Sequence, residues 1–133
     1  MKNIILAAVL STVLPFAASA DGHLEGDAEA GEAVFKRCAS CHAVGPDARN
    51  KVGPILNGVV GREAGTVEGY RYSKALLEAG MTWDEETLTE FLTNPRKAVK
   101  GTKMSFRGLK DEDDLENVIA YLAQFDEDGN MAE

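Results

Sequence analysis

Cys38 and Cys41, the only two cysteines of the chain, are separated by two residues, and His42 follows the second cysteine directly. This spacing constrains the fold more than any other feature, because it places three reactive side chains within about two turns of helix. The residues before the motif favour such a helix, with Asp27 as its N-cap. Its apolar face has the spacing i, i+3, i+4 and i+7, at Gly31, Val34, Phe35 and Cys38. We therefore predict a helix over residues 27–38 that delivers the motif at its end.

The sequence Cys38-Ala39-Ser40-Cys41-His42 is the attachment motif of c-type haem. The two thiols add to the haem vinyl groups as thioethers, and the adjacent histidine then lies below the iron. Three other interpretations of the motif agree less well with the rest of the sequence. A thioredoxin-like redox pair would follow a strand, and no strand pattern is present. A zinc site would need further ligands, and His23 near the N-terminus is the only other histidine. A simple disulfide would not account for the trailing histidine. Haem attachment is the interpretation that the motif favours.

The N-terminal residues 1–20 have the plan of a secretory signal peptide. Lys2 precedes an apolar run that ends near Phe16, and small residues at Ala18 and Ala20 suit cleavage after Ala20. A retained membrane anchor is the alternative, but the run is short for a span and contains Pro15. Cleavage leaves 113 residues, so we predict one domain, 21–133, with an acidic C-terminal tail and a periplasmic location.

The charge of the chain is acidic overall and unevenly distributed. Without Lys2, 13 basic residues face 22 acidic ones, which makes nucleic acid an improbable partner. Residues 95–110 nevertheless carry six basic residues and no acid, whereas 111–116 and 126–133 are rich in carboxylates. We predict a strongly dipolar molecule, although a solvated run of charge would also explain this pattern.

The rest of the chain predicts helices joined by long connections, and therefore an all-α class. Residues 43–72 show no sustained period and contain six of the 13 glycines, so they are predicted as loop. Ser73 can cap a two-turn helix that stops at Gly80, and Thr82 with Glu85 forms a predicted capping box for a helix that Pro95 ends. A last helix is predicted from Asp111, with Gly129 as a suitable stop. Its apolar stripe comprises Leu115, Val118, Ile119, Leu122 and Phe125. So long a loop is unusual in a small domain, but a central haem would give its side chains a surface to cover.

The second iron ligand is the residue that separates an electron carrier from a catalytic haem. His23 and Met131 belong to the terminal segments, which leaves Met81 and Met104. Met81 precedes the capping Thr82, where an ordinary packing role explains it. Met104 lies in a polar, non-helical segment that offers no helical reason for a buried hydrophobe. The residues by themselves favour Met104 and leave Met81 open.

Taken together, these motifs resemble the class I c-type cytochromes, the family of mitochondrial cytochrome c and bacterial cytochrome c2. The resemblance covers nearly all of residues 26–125. Beyond the haem motif, it rests on Gly53-Pro54, Gly58, Gly61-Arg62, Gly69-Tyr70-Arg71-Tyr72, Trp83, Asn94-Pro95, Gly101-Thr102-Lys103-Met104, Phe106 and Ile119-Ala120-Tyr121-Leu122. It implies a small cytochrome c fold, in which several short helices and long loops wrap one covalently bound haem.

The resemblance also implies roles for individual residues. Met104 becomes the second axial ligand with His42, and the carbonyl of Pro54 accepts a hydrogen bond from the His42 ring. Phe35 and Tyr121 become the pair that packs the first helix on the last. Residues that resemble the holders of the haem and its propionates are Arg62, Tyr72, Ser73, Trp83 and Thr102. Taken singly, Trp83 could be ordinary core and Arg62 a solvated charge.

Three positions depart from the mitochondrial pattern. Phe91 stands where a tyrosine hydroxyl bonds the ligand methionine, so we expect that bond to be missing and the iron–sulfur bond to be more labile. Lys100 replaces a proline before the Met104 segment, and Leu76 replaces an asparagine near the haem.

By resemblance, the function is soluble transfer of single electrons, not enzymatic catalysis. The implied donor is a cytochrome bc1 complex, and the acceptor a terminal oxidase, a peroxidase or a photosynthetic reaction centre. A monomer with brief, salt-sensitive contacts is expected. The residues expected to dock these membrane complexes are Arg96, Lys97, Lys100, Lys103 and Phe106. The rival hypothesis is a haem peroxidase or gas-binding protein with a displaceable Met104.

Overall fold

The computed structural model describes residues 24–132, so the proposed signal peptide and His23 lie outside the described residues. Five helices follow one another: α1 Ala28–Phe35, α2 Lys74–Ala79, α3 Glu85–Thr93, α4 Pro95–Ala98 and α5 Glu112–Ala123. Within the described range, strand-like pairing is limited to two isolated bridges, Glu63 with Thr82 and Phe125 with Met131. The all-α prediction is confirmed, as is the absence of helix between residues 43 and 72.

Helices α1 and α5 cross at close range because Gly31 brings no side chain to the crossing. A Cβ on Gly31 would overlap the carbonyl of Asn117 and would lie 2.8 Å from the Cβ of Tyr121. The rings of Phe35 and Tyr121 meet beside this point with centroids 5.4 Å apart. This confirms the predicted pairing of the two rings, and it anchors the end of α1 from which the cysteine motif continues.

Helix α1 is shorter than predicted, because it ends at Phe35 and residues 36–41 continue as turns. The amide of Cys38 donates to the carbonyl of Phe35 at 2.7 Å, and the amide of His42 donates to the carbonyl of Cys38 at 2.9 Å. The turns keep a helix-like hydrogen-bonding pattern through the whole motif. The motif is therefore still held in one compact turn, as the sequence predicts.

The predicted capping box of α3 was placed two residues too early. The cap is Asp84, whose carboxylate accepts from the amide of Thr87 at 2.8 Å, while the Thr87 hydroxyl accepts from the amide of Asp84 at 2.9 Å. Thr82 instead forms a bridge with Glu63, and its carbonyl accepts from the Thr87 hydroxyl at 2.7 Å, so it lies outside the helix.

Pro95 ends α3 as predicted, but it also begins the short helix α4, which was not predicted. Asn94 lies between the two helices, and its side chain accepts from the amide of Lys97 at 3.2 Å. Proline suits the first helical position, where its missing N–H costs no hydrogen bond.

The predicted apolar stripe is confirmed, since all five of its residues are buried, although Phe125 lies two residues beyond the end of α5. The helix ends at Ala123, well before Gly129. Residues 124–132, which we call the C-terminal strap, turn back, and the amide of Ala132 donates to the carbonyl of Gln124 at 2.8 Å. The described part of the predicted acidic tail is therefore folded against the body of the protein.

Candidate functional site

A cavity of about 330 Å³ lies between the helices and the long loop, and it brings together the four residues that carry the predicted chemistry. Cys38 and Cys41 line it with free thiols, His42 with its imidazole and Met104 with its thioether. These residues lie up to 66 positions apart in the chain. Two thiols, one imidazole and one thioether in a single cavity match the donor set that haem c requires.

The orientation of His42 is set by its neighbours on the loop. Its Nδ1 lies 2.7 Å from the carbonyl oxygen of Pro54, so the hydrogen bond that the resemblance implies is present. This bond assigns the ring proton to Nδ1 and leaves the lone pair on Nε2 for a metal. A Cβ on Gly53 would lie 2.7 Å from Nδ1 and 2.8 Å from Nε2, so only glycine fits there.

Burial lowers the pKa of His42 below its ordinary value, and the Pro54 hydrogen bond opposes this effect only in part. Nearby Arg62 and Lys51 lower the pKa further through their positive charges. The imidazole is therefore held neutral at physiological pH, which is the form that binds iron.

The Cys38 thiol is in an environment that opposes ionisation. Burial raises the pKa of Cys38, although the positive charge of Arg37 works in the other direction. Reactive redox cysteines require the opposite shift, because the thiolate is the nucleophile. This argues against the thioredoxin-like alternative.

Met104 and Met81 occupy different places. Met104 lines the cavity from the non-helical segment after α4, and its amide approaches the hydroxyl of Thr102 at 3.4 Å. Met81 packs at the edge of the core, and it is absent from the described cavity lining. The geometry therefore favours Met104 as the second ligand.

Arg62 brings a positive charge to the same cavity. Its Nη1 donates to the carbonyls of Asn57 at 2.9 Å and Ile55 at 3.2 Å. Its Nε is buried without a hydrogen-bond partner, the only side-chain nitrogen or oxygen of the described residues in that state. An unpaired buried donor of a charged group costs about 1–3 kcal/mol or more. A carboxylate entering the cavity, such as a haem propionate, would satisfy it.

The other predicted haem-holding residues also line the cavity. The Tyr72 hydroxyl accepts from the amide of Val67 at 3.0 Å, which leaves its own proton free to donate. Ser73 also caps α2, by accepting from the amide of Leu76 at 3.2 Å. Trp83 belongs to the hydrophobic core as well, so its two interpretations are compatible.

Tyr70 is a site residue that the sequence analysis did not select. Its hydroxyl donates to the carbonyl of Val52 at 2.8 Å, and its ring packs edge-on against Tyr72 with centroids 4.8 Å apart. The ammonium of Lys103 lies 4.6 Å from the centre of the same ring and donates to the carbonyl of Arg71. Tyr70 thus links the loop beside His42 to the segment that carries Met104. The sequence feature that could have indicated this role is the pair Tyr70 and Tyr72, separated by one residue within a loop.

The predicted docking residues fall into two groups. Lys103 and Phe106 line the cavity, whereas Arg96, Lys97 and Lys100 are exposed on and just after α4 and do not line it.

Of the three departures from the mitochondrial pattern, Phe91 and Leu76 line the cavity and Lys100 does not. The Phe91 ring packs on Trp83 with centroids 4.9 Å apart, and phenylalanine has no hydroxyl to offer Met104.

Comparison with known proteins agrees with this geometry. A family model described as cytochrome c matches residues 28–126. The chain belongs to the cytochrome c family. The cytochrome is therefore an electron-transport protein of a family that binds covalently attached haem c.

Named relatives and solved structures support the assignment. The cytochrome is 54% identical over 105 residues to cytochrome c2 of Rhodoblastus acidophilus, which covers 79% of this chain and 98% of that protein. It is 45% identical over 129 residues to cytochrome c-554 of Methylosinus trichosporium, and the match covers 97% of this chain and 98% of that protein. The solved cytochrome c2 of Rhodospirillum centenum superposes with a TM-score of 0.70 at 45% identity, covering 76% and 99%.

Between residues 24 and 132, no helix of the cytochrome is long and apolar enough to cross a bilayer.

Proposed function

We propose that this cytochrome carries single electrons by means of one haem c attached to Cys38 and Cys41, with His42 and Met104 as axial ligands. The observation that carries the proposal is that His42 and Met104 line one cavity beside both thiols. Two protein ligands leave no coordination position for a substrate, which favours electron transfer over catalysis. When bound, the haem supplies the Fe(III)/Fe(II) couple.

The residues of the chain orient and insulate this group. Pro54 keeps the His42 ring in one tautomer and orientation. Arg62 and Tyr72 line the cavity, each with a donor that has no hydrogen-bond partner, and would hold the haem propionates. Ser73, Trp83 and Thr102 line the same cavity and complete the set of residues proposed to hold the propionates. The apolar side chains that line the rest of the cavity exclude water. A dry, pre-formed site reduces the rearrangement that accompanies a change of charge.

Partners are proposed to dock at the basic surface near the Met104 segment. The donor is a cytochrome bc1 complex, and the acceptor a terminal oxidase, a peroxidase or a photosynthetic reaction centre. The docking set comprises Arg96, Lys97, Lys100, Lys103 and Phe106. The Lys103 ammonium already contacts the Tyr70 ring. The exposed Arg96 and Lys97 on α4 therefore carry the positive charges that are more accessible to a partner. We propose that cleavage after Ala20 releases a monomeric single domain, 21–133, into the periplasm.

A second candidate is a haem peroxidase or gas-binding protein in which Met104 is displaced. The observation in its favour is Phe91, which supplies no hydroxyl to Met104. The optical spectrum of the oxidised holoprotein separates the two functions. A methionine–iron charge-transfer band in the far red supports the carrier, whereas rapid binding of carbon monoxide to the reduced protein overturns it.

The choice of acceptor requires a separate experiment. Oxidation kinetics of the reduced cytochrome with each isolated candidate complex, across a salt series, should identify one acceptor with a fast and salt-sensitive reaction.

A further inference from the structure

The C-terminal strap, residues 124–132, is a compact element with its own internal hydrogen bonds. The Asp126 carboxylate accepts from the amides of Asp128 at 3.0 Å and Asn130 at 2.8 Å. The amide of Asp126 donates to the carbonyl of Asn130 at 2.9 Å, and Phe125 is bridged to Met131. The strap therefore holds its shape as a closed turn.

This turn packs against the loop that contains Asn57 and Gly58. The amide of Gly58 donates to the carbonyl of Phe125 at 3.1 Å. A Cβ on Gly58 would lie 3.0 Å from the Cγ of Glu127, so the Glu127 side chain crosses directly over that glycine. Gly129 is buried with a φ of +82°, and a Cβ there would overlap the carbonyl of Gly45 and lie 2.6 Å from Nδ2 of Asn57.

Asn57 connects the C-terminal strap to Arg62, because it contacts both. The residue is 8% exposed, and its side chain accepts from the amide of Gly45 and donates to the Gly45 carbonyl, both at 2.9 Å. Its own carbonyl accepts from Nη1 of Arg62 at 2.9 Å. The strap therefore packs against the loop whose carbonyls, those of Ile55 and Asn57, accept hydrogen bonds from the Arg62 guanidinium.

Glu127 is an exposed residue whose side chain lies over Gly58, next to the Asn57 carbonyl that binds Arg62, and this placement lets its charge act on the guanidinium. The pKa of Arg62 is lowered by burial, and Tyr72 and Glu127 oppose that effect through their charge. Among the described residues, Glu127 is the only carboxylate that contributes to the shift in the pKa of Arg62. Asp126 and Asp128, its acidic neighbours in the strap, do not contribute to it.

We propose that Glu127 and Gly129 are positioning residues, through which the C-terminal strap holds Arg62 against the haem pocket and partly offsets its charge. The proposal rests on the proposed function, because it assigns Arg62 to the propionates. The local positive charge at the pocket, and with it the preference for Fe(II), then depends on the strap.

The test compares Glu127→Gln with Asp128→Asn in the holoprotein, by redox titration at low and high salt. Both substitutions remove one negative charge from the same turn. Glu127→Gln is expected to raise the midpoint potential more than Asp128→Asn, because Arg62 is less offset, and the difference should shrink as salt is added. Equal shifts in the two variants overturn the electrostatic role.

Gly129→Ala tests the packing role with a readout that does not depend on electron transfer. The substitution is strained in the left-handed region and overlaps Gly45. Hydrogen exchange at the Gly58 amide is expected to accelerate by about tenfold or more, with a change in midpoint potential. Gly80→Ala is the control, because Gly80 has a similar φ of +60° but nothing near its missing Cβ.

If exchange at Gly58 is unchanged in Gly129→Ala, or is changed equally by Gly80→Ala, the packing role is wrong. All of these outcomes can occur with the far-red methionine band intact, so failure of this proposal is distinguishable from failure of the proposed function.

Discussion

The ring nitrogen Nδ1 of His42 lies 2.7 Å from the carbonyl oxygen of Pro54, within a cavity that Met104 also lines. The hydrogen bond fixes the imidazole before any metal is bound, because Gly53 and Pro54 belong to a loop whose backbone is tied to Cys41. The amide of Gly53 donates to the carbonyl of Cys41 at 2.8 Å. The proposed iron ligand His42, its hydrogen-bond acceptor Pro54 and the proposed attachment residue Cys41 therefore form one connected unit.

Gly53→Ala should disturb this unit. The new Cβ would lie within 2.8 Å of both ring nitrogens, so His42 must rotate away from Pro54. We expect a loss of about 1–3 kcal/mol in the free energy of unfolding, as is typical of overpacking, together with a shift in midpoint potential. Gly69→Ala is the control, since its nearest neighbour is 3.9 Å away. It should cost about 1–2 kcal/mol from its left-handed backbone and leave the potential unchanged.

Met104→Ala should abolish the far-red charge-transfer band of the oxidised protein and allow the reduced protein to bind carbon monoxide. The reason is that Met104 lines the cavity, whereas Met81 packs at the edge of the core. Met81→Ala should lower the free energy of unfolding by less than the ~2–5 kcal/mol expected for a fully buried methionine, because Met81 is partly buried, and should keep the band. Persistence of the band in Met104→Ala, with its loss in Met81→Ala, would reverse the ligand assignment.

Phe91→Tyr should strengthen the attachment of Met104. Phe91 lines the cavity against Trp83, and a hydroxyl added to its ring provides a donor within the cavity. One net hydrogen bond of about 0.5–1.5 kcal/mol should raise the pH at which the far-red band is lost by up to about one unit. Phe91→Leu offers no donor and should not raise that pH. An unchanged or lower transition pH in Phe91→Tyr contradicts the prediction.

Asp84→Ala should destabilise the protein at neutral pH but have little effect in acid. The amide of Thr87 donates to the Asp84 carboxylate and thereby lowers the pKa of Asp84 in the folded protein. A lowered pKa contributes stability above the ordinary value of about 4, and this contribution is lost as the pH falls through the folded pKa.

The melting temperatures of wild type and Asp84→Ala should therefore differ by a few degrees near pH 7 and converge as the pH falls through the folded pKa of Asp84. Glu86→Ala serves as the control, because it removes a first-turn acid of α3 that does not cap the helix. A difference between wild type and Asp84→Ala that is constant with pH would show that the carboxylate charge is not responsible.

Lys97→Glu should slow the reaction with an acidic redox partner by a few fold at low salt. Lys97 is exposed on α4 beside the Met104 segment, where a positive charge steers association. The effect should disappear towards ~1 M salt, where the Debye length is about 3 Å. Lys36→Glu makes the same charge change outside the basic stretch and should have a smaller effect in stopped-flow measurements. Equal effects of the two variants would indicate that only net charge matters.

Several structural features follow from local chemistry and were predicted from the sequence. The spacing of Cys38, Cys41 and His42 specifies haem attachment because the bonds involve neighbouring residues. The stripe of α5 and the break at Pro95 follow from helical periodicity and from proline geometry. The predicted caps Asp27, Ser73 and Asp111 are confirmed. Only the cap of α3 was predicted wrongly, because Thr82 is bridged to Glu63, a contact between distant parts of the chain, and the cap is Asp84.

The sequence by itself thus determined the cofactor, the helical class and a short list of ligand candidates. Only the tertiary structure decided that Met104 lines the cavity with His42 while Met81 does not, and that Glu127 lies over Gly58, next to the Asn57 carbonyl that binds Arg62. The physical reason is range. Helix periodicity and motif spacing act over a few residues, whereas the burial of Arg62 and the closure of the C-terminal strap arise when distant loops pack around one cavity.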